Sequence, residues 1–194
     1  LDRPSLYRTV DDYDSVGNKV AQVRGVASWT SRVYSSALAS VGEKSAGVRI
    51  IGIDPDKENI ATRFNKKIVK GTAFSPSPIH EAILGEGLAD ILEAQLGDEI
   101  VLVSQGADGS IANDLYKIVG MISSGDRTAD QSSLYLHLTD AQELLVLEGR
   151  VHEIAVIGKE LKTIDAVAAD IRTALDNPDL EVETWKQFAA AFYR

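Results

Sequence analysis

Apolar residues along the chain follow two periods, and the change from one to the other outlines the secondary structure. Tyr13, Val16, Val20 and Val23 fall on one side of a helix, with acidic residues in its first turn, where the helix dipole favours them. The segment Val26–Val41 is rich in Val, Ser, Thr and aromatic residues, which is typical of a long strand. The same criteria predict helices at 11–24, 55–63, 83–96, 140–149 and 164–176, and strands at 26–41, 48–53, 99–104, 115–122, 134–138, 151–157 and 180–185.

Several predicted helices carry residues that stabilise their ends. Asp54 followed by Pro55 is typical of an N-cap and a first helical residue. Thr139 to Gln142 matches a capping box, in which the threonine caps the helix and the glutamine reaches back. Gly149 is a natural stop for the helix that follows.

Helices and strands are mixed at both ends of the chain and strands dominate its middle, which predicts an α+β fold. Residues 65–79 are an irregular connector rich in Lys, Gly, Ser and Pro, and we place a subdomain boundary there. The apolar strands 151–157 and 180–185 need a sheet partner, and the two N-terminal strands match them in character. Residues 1–66 and 147–194 are therefore predicted to form one α/β subdomain, with 67–146 inserted.

The acidic balance and the lack of cysteine limit the functions that this chain can have. Its 194 residues include 20 basic and 29 acidic ones, a net charge of −9 that repels phosphate backbones, so no nucleic-acid partner is expected. Without cysteine, the chain forms neither disulfides nor thiolate metal sites. No stretch approaches the ~20 apolar residues that span a membrane. The polar start Leu1–Pro4 does not resemble a signal peptide, and the apolar end Phe188–Arg194 is interpreted as an ordinary C-terminal helix.

The sequence predicts no catalytic residue, no cofactor and no metal ligand. His80, His137 and His152 lie too far apart in sequence to form a local metal motif. The glycines of Gly85–Asp90 match only part of a dinucleotide fingerprint, and they fall within a predicted helix rather than at a strand-to-helix turn. The acidic segment Asp54–Asn59 has asparagine where a calcium-binding EF-hand loop needs glycine. Walker A and Gly-x-Ser-x-Gly motifs are absent from the sequence.

The loop Gln105 to Asp114 contains turn-forming residues between two predicted strands, so a polar tip is expected to project into solvent. An exposed tip can be shaped by binding without harm to the core. The candidate partner-contact residues are Gly106, Ala107, Asp108, Gly109 and Ser110. The alternative, a plain hairpin connection, stays open. Replacing Ala107 to Ser110 by a two-residue turn is expected to leave stability nearly unchanged while reducing the activity of the full-length protein.

Five short motifs occur in a recognisable order: Gly52-Ile53-Asp54-Pro55, Ile83-Leu84-Gly85-Glu86-Gly87-Leu88-Ala89, Gly97-Asp98-Glu99-Ile100-Val101-Leu102, Tyr116-Lys117-Ile118-Val119-Gly120 and Leu134-Tyr135-Leu136-His137-Leu138-Thr139-Asp140-Ala141-Gln142-Glu143-Leu144. This order, which extends over nearly the whole chain, resembles the extracytoplasmic domain of ABC-transporter permeases of the MacB/LolC/LolE/FtsX superfamily. In those proteins the domain lies between the first and second transmembrane helices.

The resemblance implies a porter-like α/β subdomain from residues 1–66 and 147–194, and an inserted β-rich, sabre-like subdomain at 67–146. It also implies a location at the periplasmic face of the inner membrane and mechanotransmission, in which ATP hydrolysis by a cytoplasmic subunit or domain drives the periplasmic domain. The implied partners are that ATP-binding unit, a periplasmic adaptor or carrier protein, and a second permease in a dimer. Lipoprotein release, efflux and activation of cell-wall hydrolases are the implied outcomes. The segment Ser104 to Asp114 is short, glycine-rich and free of proline, unlike the longer hook of the LolC type.

Two other functions remain open from the residues alone. A free-standing hydrolase would use Asp, His and Ser, and would place one of the three histidines within hydrogen-bonding reach of a serine and a carboxylate. A soluble small-ligand module would have a deep, largely apolar pocket between the subdomains. The permease hypothesis requires Leu1 and Arg194 to emerge on the same side of the molecule, because both must lead into one bilayer.

Overall fold

The computed structural model describes residues 6–187, and two long antiparallel strands follow its first helix. β2 (Val26–Val41) has the predicted bounds, and β3 (Lys44–Ile53) begins at Lys44 rather than at Val48. Gly42 turns the chain between them with φ 55, a conformation that glycine adopts without strain.

The other elements complete an α+β fold, as predicted. The remaining strands are β1 (Val10–Asp11), β4 (Ile68–Gly71), β5 (Glu81–Gly85), β6 (Glu99–Gln105), β7 (Ile111–Ile122), β8 (Ser133–His137), β9 (Arg150–Val151) and β10 (Glu153–Gly158). The α-helices are α1 (Tyr13–Ala21), α2 (Pro55–Thr62), α3 (Glu86–Ile91), α4 (Arg127–Asp130), α5 (Leu138–Leu145) and α6 (Ile164–Leu175). Phe64–Lys67 and Leu161–Thr163 are short 3₁₀ helices.

Six strands of the main sheet pair into a closed ring in the order β2, β3, β8, β5, β7 and β6, and β6 pairs back with β2. The β3–β8 and β5–β7 pairs are parallel and the others in the ring are antiparallel. Because the ring is closed, each of its six strands is hydrogen-bonded to a neighbouring strand on both sides over part of its length. β4 extends the sheet from β7, and β10 extends it from β2, so the strand predicted at 151–157 pairs with the N-terminal strand as expected.

The main hydrophobic core lies on the inner side of this ring. Alternate residues of the ring strands point inward, and many of them are fully buried, as Leu134 and Leu136 are in β8. The inner residues of the neighbouring strands include Ala39, Ile50, Ala82, Leu84, Ile100, Leu102, Tyr116 and Ile118. A second cluster of Ile51, Ile53, Phe64, Ile83 and Ile122 lies apart from it. The alternation explains why a period of two was visible in the sequence of β8.

The helix predicted over 83–96 is wrong, since residues 81–85 form β5 and only Glu86–Ile91 are helical. Ile83 and Leu84 lie at helical spacing from later leucines, and for this reason the segment matches the apolar pattern of a helix. Instead, they pair with β7 on one side and with β8 on the other, and both are fully buried. Tertiary pairing has overridden a local helical pattern.

Three further predictions fail at element ends. The capping box at Thr139 does not form, because α5 begins at Leu138, two residues before the predicted start. The His137 ring accepts from the Thr139 N–H, and the Gln142 amide donates to the Arg150 carbonyl. α5 ends at Leu145, with Val146 in the left-handed conformation, rather than at Gly149. Residues 180–184 form no strand. The N-cap at Asp54 is confirmed, since its carboxylate accepts from the N–H groups of two residues in the first turn of α2.

A buried ion pair connects the N-terminal part of the chain to its C-terminal part. Arg32 on β2 donates two hydrogen bonds, of 2.9 and 3.1 Å, to the Glu58 carboxylate on α2, and contacts Glu153 on β10 at 3.3 Å. Burial by itself lowers the pKa of Arg32, but Glu58 and Glu153 more than offset it, so the pKa lies above its ordinary value. Thr30 and Thr62 donate to the same Glu58 carboxylate.

None of the helices between residues 6 and 187 is long and apolar enough to cross a membrane. The predictions for Leu1–Pro4, for Phe188–Arg194 and for the direction in which the two chain ends emerge lie outside the described residues.

Candidate partner-binding surface

Apolar side chains are exposed in one row across β2, β6 and β7. Leu38 lies opposite Val103, and Val101 lies opposite Leu115, so these four side chains share the outer side of the ring. They are 39–51% exposed, and Ile111 at the start of β7 is 80% exposed. We call these five residues the outer apolar strip.

The surroundings of the strip resemble the edge of a protein–protein interface. Gln105, Asn113, Glu99 and Lys117 lie on the same side of β6 and β7 and are exposed, so a polar border accompanies an apolar centre. A contiguous apolar patch of this kind on a folded domain is typical of a binding surface.

The apolar run at 100–103 predicts a strand, and it is also a sequence signal for this surface. Residues 100–103 are all apolar, which is typical of a strand buried on both sides. In the structure Ile100 and Leu102 are buried, while Val101 and Val103 remain exposed. The surface is identified by the side of β6 that is apolar but is not covered by any other part of the described chain.

The predicted contact loop lies at the end of the β6–β7 hairpin, next to Ile111 of the strip. It is shorter than expected, because β7 begins at Ile111. Asp108, Gly109 and Ser110 are exposed, and the Asp108 carboxylate accepts from the N–H and the hydroxyl of Ser110, which lowers its pKa.

The tip does not project freely, which corrects the expectation drawn from its composition. Gly106 is buried, and a Cβ there would lie 3.1 Å from the Val146 side chain. The Ala107 N–H donates to the Leu145 carbonyl at 2.7 Å. That carbonyl belongs to the last turn of α5, where helical carbonyls lack intrahelical partners, so the hairpin completes the end of the helix.

Replacing Ala107 to Ser110 by a two-residue turn is therefore expected to lower the free energy of unfolding by about 1 kcal/mol, because the hydrogen bond to α5 is lost. Urea unfolding of the purified chain measures the change. Asp108→Gly leaves the Ala107 contact intact and serves as the control, with a smaller expected loss. Equal stability of the shortened chain and the parent would show that the docking of the tip adds nothing.

The three histidines lie in different surroundings, and none forms a catalytic triad. His80 Nε2 lies 2.9 Å from Asp114, His137 Nδ1 accepts from Thr139 N, and His152 Nδ1 accepts from the Tyr34 N–H at 2.9 Å. Burial lowers the pKa of His152. Within residues 6–187 no imidazole is hydrogen-bonded to a serine, so the geometry that the hydrolase hypothesis requires does not form.

One of these histidines nevertheless belongs to a cluster that sequence spacing did not reveal. His80, in the connector before β5, meets Asp140 and Glu143 of α5, and one ligand atom from each lies within 4.8 Å of the others. Burial raises the pKa of Asp140, although the His80 N–H donates to its carboxylate and opposes the shift. Since 60 residues separate His80 from Asp140, only the fold brings them together.

A cavity of about 200 Å³ lies beside the Arg32 pair. It is lined by both charged and apolar side chains, among them Arg49, Lys67, Phe64 and Tyr135. Small-molecule sites usually enclose about 300–1,000 Å³ of mostly apolar space. This cavity therefore does not match the deep apolar pocket that the small-ligand hypothesis requires.

The glycine motif lies at a strand-to-helix turn after all, between β5 and α3, which corrects its predicted place within a helix. The space beside it is filled by the chain itself. A Cβ on Gly85 would lie 2.2 Å from the Asp130 carbonyl oxygen, and one on Gly87 would lie 2.9 Å from Gln131. The glycines allow α4 to approach closely, and the place where a phosphate would bind is occupied.

Comparison with protein families matches residues 3–174 to the model of the MacB-like periplasmic core domain. Among curated proteins, the chain is 26% identical over 164 residues to the lipoprotein-releasing system transmembrane protein LolC of Neisseria meningitidis serogroup B. That match covers 81% of this chain and 38% of LolC, so the chain spans about two fifths of the length of that relative.

Two solved structures share the fold. The extracellular domain of the noncanonic ABC-type transporter YknZ from Gram-positive bacteria aligns with a TM-score of 0.66 at 14% identity, over 92% of this chain and 91% of that one. The periplasmic region of MacB from Actinobacillus actinomycetemcomitans aligns with a TM-score of 0.63 at 15% identity, over 93% and 82% of the two chains.

Proposed function

The chain belongs to the MacB-like periplasmic core domain family of ABC transporter permeases, and we propose that it transmits movement from the membrane to a protein partner outside the cytoplasm. The outer apolar strip carries this proposal. Its five exposed apolar side chains form a surface that a second protein can cover, whereas the cavity beside Arg32 is too small and too polar for a typical ligand.

The connections between the two ends of the chain support the mechanical part of the proposal. β10 pairs with β2, β1 pairs with β9, and Arg32 links α2 to Glu153 on β10. Through these contacts, a displacement of either end reaches the same sheet. The ring of strands then extends the displacement to β6 and β7, where the strip lies.

The proposed division of labour follows from this arrangement. Residues 1–66 and 147–194 form the unit next to the membrane, and 67–146 form the inserted unit with most of the strip and the hairpin tip. The moving force comes from a cytoplasmic ATP-binding subunit or domain, and two permeases act as a dimer. The partner at the strip and at Asp108, Gly109 and Ser110 is a periplasmic adaptor or carrier protein, in lipoprotein release or efflux.

The strip lacks the aromatic and arginine side chains that dominate tight interfaces, so contact with the partner is expected to be of modest affinity. Modest affinity suits a contact that forms and breaks in each transport cycle. The LolC relative carries lipoprotein release in its name, and the same class of substrate is proposed for this chain.

The test is the substitution Val103→Glu in the full-length permease, assayed for transport and for co-purification with the periplasmic adaptor or carrier protein. Val103 lies at the centre of the strip and is 40% exposed, so the domain should fold normally while both readouts fall at least about 10-fold, equal to about 1.4 kcal/mol of binding energy. The ATPase activity of the solubilised transporter should persist, since the substitution lies far from the nucleotide.

Ile60→Glu is the matched control, because Ile60 is an apolar residue on α2, away from the strip, and is more exposed than Val103, at 71%. It should leave transport and co-purification unchanged. Equal losses in both variants would mean that a new charge at any exposed apolar position lowers transport, and that the strip has no specific role. Full transport by the Val103→Glu protein would contradict the proposed contact.

A further inference from the structure

His80, Asp140 and Glu143 form a cluster on the side of β7 opposite to the outer apolar strip. His80 has φ 58 and lies at the end of the connector that enters β5. Its N–H donates to one oxygen of Asp140 at 3.0 Å, while its Nδ1 faces the other oxygen at 3.8 Å. A separation of 3.8 Å exceeds a hydrogen bond and is close to the roughly 3.3 Å between two ligands of one tetrahedral zinc ion.

The second nitrogen of His80 is held in the way that metal-binding histidines are held. Nε2 lies 2.9 Å from the Asp114 carboxylate on β7. A proton on Nε2 therefore leaves a free electron pair on Nδ1, the nitrogen that faces Asp140. A carboxylate that fixes the remote nitrogen orients the ring and makes the coordinating nitrogen more basic.

Tyr116 supplies an independent observation that points to a missing ligand. Its side chain is fully buried, its ring stacks on His80 at 5.3 Å, and its hydroxyl has no hydrogen-bond partner. A buried hydroxyl without a partner is rare, because it loses hydration without compensation.

The cluster also contains more acidic groups than basic ones. Asp114, Asp140 and Glu143 bring three carboxylates together around His80, and His137 is a second imidazole near Asp140. Within residues 6–187 the Glu143 carboxylate makes no hydrogen bond and no ion pair. Glu143 is exposed on α5, so its side chain is free to close the gap towards the other two ligands.

We propose that His80, Asp140 and Glu143 bind a divalent transition-metal ion of the zinc type, with Asp114 orienting His80 and with Tyr116 beside an open coordination position. One imidazole and two carboxylates favour zinc-like ions over calcium or magnesium, which prefer oxygen ligands alone. A water molecule on the open position would give the Tyr116 hydroxyl its partner. Bound metal would fasten the connector before β5 to α5, whose last turn contacts the hairpin tip.

The experiment is calorimetric titration of the purified 194-residue chain with zinc chloride, together with X-ray absorption of the zinc-loaded chain. The parent is expected to bind one zinc ion per chain, with one imidazole nitrogen and carboxylate oxygens in the absorption shell. Glu143→Gln and His80→Asn should each weaken binding at least about 10-fold, and Asp114→Asn should do so by about 10- to 100-fold. Asparagine suits the positive φ at position 80.

Glu148→Gln is the matched control, since it removes one negative charge just beyond α5 without touching the cluster. It should bind zinc as the parent does, and circular dichroism verifies that all variants are folded. Absence of saturable binding by the folded parent would overturn the proposal. So would a loss in Glu148→Gln equal to that in Glu143→Gln, or an absorption shell without an imidazole nitrogen.

Discussion

Gly85→Ala is expected to lower the free energy of unfolding by about 3 kcal/mol or more, the upper range for a residue too large for a packed site. The new Cβ would lie 2.2 Å from the Asp130 carbonyl oxygen and 2.8 Å from the Asp130 Cα. Both atoms belong to the backbone, which cannot rotate away as a flexible side chain can. Relief requires α4 to move away from the turn between β5 and α3. Urea unfolding followed by circular dichroism measures the loss.

Gly47→Ala is the matched control for this prediction. Gly47 lies on β3, is exposed, has no positive φ, and has no atom within 4 Å of the position that a Cβ would take. Its replacement should change stability by less than about 0.5 kcal/mol, the usual range for surface positions. Similar values for the two variants would show that α4 adjusts freely, and that the close approach at Gly85 has no structural importance.

Local sequence patterns predicted those elements whose pattern agrees with their tertiary surroundings. β2 is predicted over its whole length because its Val, Ser, Thr and aromatic residues favour a strand, and the start of α2 is predicted because the Asp54 cap forms within the helix itself. β5 was interpreted as a helix, because its burial depends on β7 and β8, which lie more than 25 residues away in sequence. A local stripe carries no information on such partners.

The candidate sites show the same limit. The hairpin was visible in the turn residues around Gly109, whereas its docking on Leu145 depends on where α5 ends. The outer apolar strip combines β2 with β6 and β7, so a partner strand about 60 residues away was needed to recognise it. The three histidines lie too far from one another in sequence to predict a metal motif, and only the fold brings His80 next to Asp140.

A domain that transmits movement has to resist internal rearrangement, and a closed ring of strands with a buried ion pair beside it provides such resistance. Each ring strand has hydrogen-bonded neighbours on both sides, so a force that displaces one strand is transmitted to the others. The pair of Arg32 and Glu58 adds a link between this ring and α2. These features suit the proposed function, in which rigid parts carry a displacement further than loose ones.

Arg32→Ala is expected to lower the free energy of unfolding by about 3 kcal/mol, as removal of one partner from a buried ion pair usually does. The Glu58 side chain is only 6% exposed, so the substitution leaves its carboxylate desolvated with just the hydroxyls of Thr30 and Thr62 as donors. β10 also loses its contact between Arg32 and Glu153. Chemical unfolding of the purified chain at neutral pH measures the change.

Two further variants separate the charge effect from simple loss of side-chain volume. Arg49→Ala removes an arginine from the neighbouring strand, where the guanidinium lies 4.6 Å from the Tyr34 ring centre, and should cost no more than about 1 kcal/mol. The double variant Arg32→Met, Glu58→Leu removes both charges and keeps apolar volume, so it should recover most of the lost stability. If the double variant is instead as unstable as Arg32→Ala, the unpaired Glu58 carboxylate does not cause the loss. The cause is then the lost packing around the Arg32 guanidinium.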